Sequence, residues 1–206
     1  MWLNVSRKRR INSSMKKNCL LAVAAAALLV ACVPSVNPFY TDKDVVTDPR
    51  LAGTWVEAGK KDKATAWTFA TATNNAYAVT LKDDDGKTGK FEGHLFKLGK
   101  EMFLDVTPTE CKFDDQQAGL LNSAMLPGHL LFRVKLADDK FSMAVCNPDW
   151  IKKFLDKNPA ALAHRVVDGS VILTAETAAL QKFVHQHLGK DELFGEFGDY
   201  ERVPAK

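Results

Sequence analysis

From Gly53 onward the chain alternates between apolar and polar positions. Thr65 to Thr71 places Trp67 and Phe69 on one face, and Ala76 to Lys82 does the same with Tyr77, Val79 and Leu81. Gly89–Lys97 carries Phe91 and Leu95, and Glu101–Thr107 carries Met102, Leu104 and Val106. After a gap the pattern resumes, with Leu130, Phe132, Val134 and Leu136 in His129–Leu136, then Phe141, Met143 and Val145 in Lys140–Cys146. A period of two is the spacing of a strand with one buried face. Turn residues separate the runs: Asn74-Asn75, Asp83-Asp84-Asp85-Gly86 and Asp138-Asp139. Such regular spacing predicts an antiparallel meander that opens at Gly53-Thr54-Trp55-Val56-Glu57.

The second half changes period. Asn147-Pro148-Asp149 reads as a helix start, with Asn as N-cap and Pro in the first turn. The predicted helix runs to about Lys157, stops before Asn158-Pro159, and presents Trp150, Ile151, Phe154 and Leu155 on one face. A hairpin is predicted next, His164–Val167 and Ser170–Leu173 around Asp168-Gly169, a pair suited to a type I′ turn. Thr174 is expected to cap a second helix over 175–188, with Ala179, Leu180, Phe183, Val184 and Leu188 as its buried stripe and Gly189 as its end. A last short strand fits Tyr200–Val203. Residues 108–127 show no clean period and read as an ordered crossing segment with a helical turn or two.

About nine short strands, two helices and no βαβ rhythm give an α+β fold, mainly antiparallel β. Gly53-Thr54-Trp55 resembles the Gly-x-Trp motif that begins the first strand of lipocalins. The resemblance covers residues 50–146 and implies a lipocalin-like meander or partly closed barrel, with the two helices in its C-terminal half. In a small barrel the interior is the default ligand site; the alternative is that Trp55, Trp67 and Phe69 simply fill it. The helix inserted near residue 148 departs from a plain eight-strand order.

The N-terminal region has a different character. Lys16 and Lys17 lead into an apolar run from Cys19 to Val30, which ends in Leu29-Val30-Ala31-Cys32. The run is too short for a membrane span, which needs roughly 20 apolar residues. A plain secretory leader is the other alternative. The ending resembles the lipobox of bacterial lipoproteins. That resemblance implies cleavage between Ala31 and Cys32, diacylglycerol on the Cys32 thiol, and acylation of the new amino terminus. Residues 1–31 are then a lipoprotein signal peptide, 32–49 a lipidated tether, and 50–206 a single β-rich domain with C-terminal helices. Arg7, Lys8, Arg9 and Arg10 lengthen the basic leader, and either Met1 or Met15 could begin it. The tether holds Pro34, Pro38 and Pro49, with Phe39-Tyr40 as an apolar island that either docks on the domain or meets lipid headgroups. Val33 occupies the second position, where Asp would imply retention in an inner membrane. The expected place is therefore the outer membrane, facing the periplasm, if the cell has two membranes. With its lipobox, short tether, Gly-x-Trp strand and Asn147–Trp150 helix start, the chain also resembles a group of uncharacterised bacterial lipoproteins.

This segmentation changes the reading of the charge. Six of the 28 basic residues lie in residues 1–31 with none of the 25 acidic ones, so the formal +3 becomes −3 for the remainder. A mildly acidic domain argues against nucleic acid, which needs a basic face. Of four cysteines, Cys19 lies in the leader and Cys32 takes the lipid, leaving Cys111 and Cys146. In an oxidising compartment these two can form a disulfide, or stay as separate buried thiols; geometry decides.

Specific chemistry is scarce. His185 and His187 sit two apart on a predicted helix and point about 200° apart, so they cannot chelate one ion. His94 and His129 are out of phase with the apolar sets of their strands. They read as neighbours on an outer face, solvated, unless a cleft brings one to a carboxylate, which would favour a hydrolase. His164 belongs to the hairpin. Asp83–Gly86 with Glu92 lacks the first ligand of an EF-hand, where Leu81 stands, and reads as a polar hairpin tip. No Gly-x-Ser-x-Gly or phosphate loop occurs. Catalytic residues, metal ligands and cofactors are therefore not assigned. The expected function is a lipid-anchored binding or interaction module of the cell envelope, attached to the membrane through Cys32 and partnered by another envelope protein. The alternatives are a lipocalin-like carrier of a small apolar ligand and an envelope hydrolase.

Overall fold

The alternating runs become strands, and the strands close on themselves. The structure, a computed structural model, describes residues 33–60, 65–110, 126–189 and 192–204. Strand β1 is Gly53–Glu57, β2 Ala66–Thr71, β3 Tyr77–Lys82, β4 Thr88–Leu98, β5 Glu101–Pro108, β6 Leu130–Leu136 and β7 Lys140–Val145. Each pairs antiparallel with the next along the chain. The chain then leaves the sheet to form α1 (Pro148–Lys157), the hairpin β8 (His164–Val167) and β9 (Ser170–Leu173), and α2 (Thr177–His187). It returns as β10 (Gly198–Arg202), which slots between β7 and β1. The order β1-β10-β7-β6-β5-β4-β3-β2 is a closed barrel of eight strands, with β8-β9 as a separate two-stranded sheet. The fold is thus the lipocalin-like α+β barrel expected, fully closed, with both helices in the C-terminal half. The inserted α1–α2 unit postpones the closing strand without breaking the circle.

Local chemistry accounts for the turns. Asn74 and Asn75 both take positive φ, 57° and 58°, between β2 and β3. Asp168 and Gly169 do the same, 49° and 80°, at the tip of the β8–β9 hairpin. Asn, Asp and Gly tolerate that region better than other residues, and two positive φ values in a row match the twist of a tight hairpin. The α1 start is as predicted: the Asn147 side chain accepts from the Trp150 amide at 3.1 Å. The α2 start is not. Its N-cap is Glu176, without a side-chain cap bond, while Thr174 lies two residues before it.

Apolar residues build two cores on either side of the sheet. Inside the barrel, Trp55, Phe69, Leu95, Leu104, Phe132 and Phe141 pack with Trp67, Tyr77, Val79, Val106, Val134 and Met143. Leu51, fully buried in a short 3-10 turn at Pro49–Leu51, joins them. The second core lies on the outer face. There Phe96, Leu98, Phe103, Leu131, Ala144 and Cys146 meet Ile151 and Leu155 of α1, Leu180, Phe183 and Val184 of α2, and Val171 and Leu173 of β9. Strands β4 and β5 are therefore buried on both faces over Gly93–Phe96 and Phe103–Val106, the condition that produces consecutive apolar pairs such as Leu95-Phe96 and Phe103-Leu104.

The segment expected as a tether, 32–49, is described from Val33 on, and there it runs as a strap over the domain. Val33 and Phe39 are 4% and 2% exposed, and Ser35 is 1% exposed. Ser35 bridges both His129 and Leu173. The strap continues past α2, where Asn37 Nδ2 donates to the Ala175 carbonyl (3.0 Å) and Thr177 Oγ1 to the Pro38 carbonyl (2.8 Å). It then adds Val45 to the edge of Phe96. At its end the Tyr77 hydroxyl accepts from the Asp48 amide (2.8 Å) and donates to the Asp48 carbonyl (3.0 Å). Buried backbone groups must find partners, and these long-range bonds supply them. The described residues all belong to one compact unit, Ala31–Lys206. Among them no helix is long and apolar enough to cross a membrane.

Candidate functional site

The polar residues buried among this apolar packing concentrate where the strap crosses β4 and β5. Asp105 is at the centre, a carboxylate 1% exposed on the outer face of β5. It is out of phase with Met102, Leu104 and Val106, so strand alternation turns it away from the barrel interior. Its register partner on β4 is His94. Asp105 Oδ1 is 2.8 Å from His129 Nδ1, and Oδ2 accepts the Phe39 amide at 2.9 Å.

The next strap residue completes the group. Tyr40 stacks on His94 with ring centres 4.5 Å apart, and its hydroxyl lies 2.9 Å from His94 Nδ1. Burial pushes the Tyr40 hydroxyl up to about 12, helped by the negative charges of Asp105, Glu92 and Asp42. Tyr40 is thus a neutral hydrogen-bonding group at any ordinary pH. Glu92 Oε1 is 3.9 Å from the His94 ring.

His94 and His129 are therefore neighbours on an outer face, as their phase predicts, but they are not solvated. His94 is only 9% exposed and the His129 side chain 16%. The carboxylate that brings them together lies under the strap and not in a cleft. Both Asp105 oxygens are engaged, one by a ring and one by a backbone amide. Among the described residues no Ser or Thr hydroxyl bonds to either ring; Ser35 Oγ instead accepts the Asn37 amide at 3.3 Å. The arrangement works as a clamp that fastens the strap to the barrel.

The other sequence-predicted residues fall elsewhere. Cys32, Ala31 and Cys111 lie outside the described residues. Cys146, 6% exposed, follows β7 and bridges Phe194. His164 Nδ1 bonds the Leu162 carbonyl at 2.8 Å. His187, outside the predicted stripe of α2, is buried: its ring packs against Phe183, Phe154 and Trp150 at centre distances of 4.6, 4.9 and 5.4 Å. Its Nδ1 reaches the Phe183 carbonyl at 3.0 Å. Ala179 is exposed instead, and the buried stripe of α2 is Leu180, Phe183, Val184 and His187. Among the described residues no three His, Cys, Asp or Glu side chains converge as a metal site would require.

The sequence reading missed Asp105. The available signal was a carboxylate inside an apolar run, Met102 to Val106, two residues after phase-breaking Phe103. The barrel interior is lined by large side chains at or near zero exposure. A pocket of about 170 Å³ at Tyr77, Val79, Phe91 and Thr109 is below the roughly 300–1,000 Å³ usual for ligand sites. A larger depression, about 490 Å³, is open and lies on the surface at Asp139, Lys140, Glu201, Arg202 and Pro204. No protein-family model, curated protein or solved structure gives a significant match to this chain. Its functional reading therefore rests on the sequence and on local geometry.

Proposed function

We propose that this protein is a lipid-anchored component of the cell envelope, held by acyl chains on Cys32, whose barrel domain is a binding or interaction module that works through its surface. The observation that carries this reading is the Leu29-Val30-Ala31-Cys32 sequence after an apolar run, followed within one residue by folded chain at Val33. A signal segment that ends where the domain begins fits removal of everything before Cys32. A barrel filled by Trp55, Phe69, Leu95 and Phe141 favours recognition by the outer surface over enclosure of a ligand. Two or more acyl chains anchor stably, whereas one gives only marginal binding. The test is crosslinking in intact envelope with the native protein as bait and Cys32→Ser as comparator. A partner captured by the native protein and lost with the variant is expected. A native protein found in the soluble fraction, with the same capture as the variant, contradicts the reading.

A second reading, carriage of a small apolar ligand, has the closed eight-stranded barrel in its favour. Native mass spectrometry of the gently extracted protein would reveal such a ligand as a stoichiometric added mass. The hydrolase reading gains the His129–Asp105 pair, but that pair is committed to the strap.

A further inference from the structure

The strap leaves almost no slack between a lipid on Cys32 and the folded domain. Val33 is 4% exposed and packs in the outer core with Val171 and Leu173 of β9. Two residues on, Ser35 is fixed on both sides: its amide donates to the His129 carbonyl, and the Leu173 amide donates to the Pro34 carbonyl, each at 2.9 Å. Consecutive Cα atoms are about 3.8 Å apart, so a lipid carried one residue before Val33 has a single residue of reach from this buried anchor point. The bridge between Ser35 and Leu173 is parallel. Going backward from Ser35 to Val33 thus follows β9 backward from Leu173 toward Val171, and onward toward the Asp168-Gly169 turn.

That turn is flanked by two exposed valines, Val166 and Val167, at 50% and 51% exposure. Adjacent strand residues project to opposite faces. Val166 is the register partner of buried Val171, and Val167 is the partner of Ser170 on the other face. The outer core uses only the Val171 and Leu173 side of the hairpin. This exposed valine pair, behind the polar Asp168-Gly169 turn and next to the point where the chain heads for its lipid, has no role in the core.

We infer that the β8–β9 tip, through Val166 and Val167, dips into the lipid surface beside acylated Cys32, so that the domain sits flush on the membrane in one fixed orientation. This rests on the proposed lipidation of Cys32. The occupant of the tip is the acyl and headgroup boundary of the membrane that holds the anchor. Amphipathic elements penetrate that boundary by roughly 5–10 Å. Arg165, exposed in β8, is placed to remain among headgroups. A free spacer would leave the domain's orientation random; the bonded strap fixes which side faces the bilayer.

The test places a photoreactive benzoylphenylalanine at Val167 in the full-length protein, expressed and irradiated in its own membrane, with the same residue at Ala78 as control. Ala78 is exposed on the outer side of β3. Phospholipid adducts at Val167 should exceed those at Ala78 by at least ten-fold. The mass of the N-terminal peptide, measured in the same sample, reports the state of Cys32. Acylated Cys32 with equal lipid adducts at both positions, or with protein adducts in place of lipid at Val167, overturns the inference and leaves the anchor intact. Unmodified Cys32 overturns the anchor itself, and the orientation falls with it.

Discussion

The guanidinium carbon of Arg202 lies 4.3 Å from the centre of the Trp55 ring, and the two residues are register partners across β10 and β1. The arrangement closes one end of the barrel. Trp55 is fully buried, and its Nε1 donates to the Leu51 carbonyl at 2.8 Å. Arg202 Nη1 donates to the Ala52 carbonyl at 2.6 Å, and Nη2 donates to the Arg50 carbonyl. Gly53 makes this possible: its φ of 133° disfavours any side chain, and a Cβ there would collide with the Arg202 guanidinium. One charge therefore covers the aromatic plug and ties down the segment that leads into the first strand.

Replacing Arg202 by Ala should cost about 2–3 kcal/mol. Cation–π contacts reach about 2 kcal/mol when desolvated, and hydrogen bonds to charged groups are worth about 1.5–3. Trp55→Ala should cost more, about 3–5 kcal/mol, a large share of the ~5–15 kcal/mol typical of a domain. Urea unfolding measures both as a lowered midpoint at similar slope. A Trp55→Ala variant of unchanged stability that has lost a binding partner would instead mark Trp55 as part of a functional surface.

Asp105→Ala should release the strap. It strips a charged partner from the Phe39 amide and from His129 at once, at a cost of about 2–4 kcal/mol. Limited proteolysis of native and variant protein, read by mass spectrometry, should show new cleavage within residues 33–48 of the variant. Equal resistance in the two proteins would show that the apolar anchors Val33 and Phe39 hold the strap unaided.

Alkali should destabilise the protein. All three tyrosines, Tyr40, Tyr77 and Tyr200, are pushed above the ordinary value of 10, in each case chiefly by burial. For Tyr40 the folded value is about 12. Above pH 10 the unfolded chain loses these protons while the folded chain keeps them, so fewer protons are bound when unfolded and stability falls as pH rises. The contribution is fully present below pH 10 and is lost between about 10 and 12 for Tyr40. Absorbance at the tyrosinate band should show no group titrating at 10 in the folded protein. A normal titration there would contradict the burial of all three.

Cys111 and Cys146 should form a disulfide in the protein isolated under oxidising conditions. Cys146 is buried on the outer face after β7, and a loop of about 35 residues would contribute roughly 3–4 kcal/mol in the chain-entropy picture. Thiol labelling of the unfolded, unreduced protein should find neither cysteine reactive. Labelling of both would refute the bridge.

The barrel was legible because its interior face obeys a simple period: Trp67 and Phe69, or Met102, Leu104 and Val106, all point where alternation puts them. The double-asparagine and Asp-Gly turns were legible because few residues accept positive φ. The strap was not. Val33, Ser35 and Phe39 follow no period, and their partners, Leu173, His129 and Asp105, are far along the chain. The burial of His187 was not legible for a similar reason. Its burial comes from α1, through Trp150 and Phe154, and nothing local to α2 announces that neighbour. The outer core did leave a trace, in the paired apolar residues Leu95-Phe96, Phe103-Leu104 and Leu131-Phe132, which only a doubly covered sheet explains.

The intact mass of the protein extracted from whole cells tests the proposed lipid anchor at Cys32 most directly. The predicted mass is that of a chain beginning at Cys32 and carrying acyl groups on its thiol and amino terminus, with the Cys32→Ser variant unprocessed or mislocalised. A chain that retains Met15, or one that begins at Cys32 without acyl mass and appears in the soluble fraction, would contradict it.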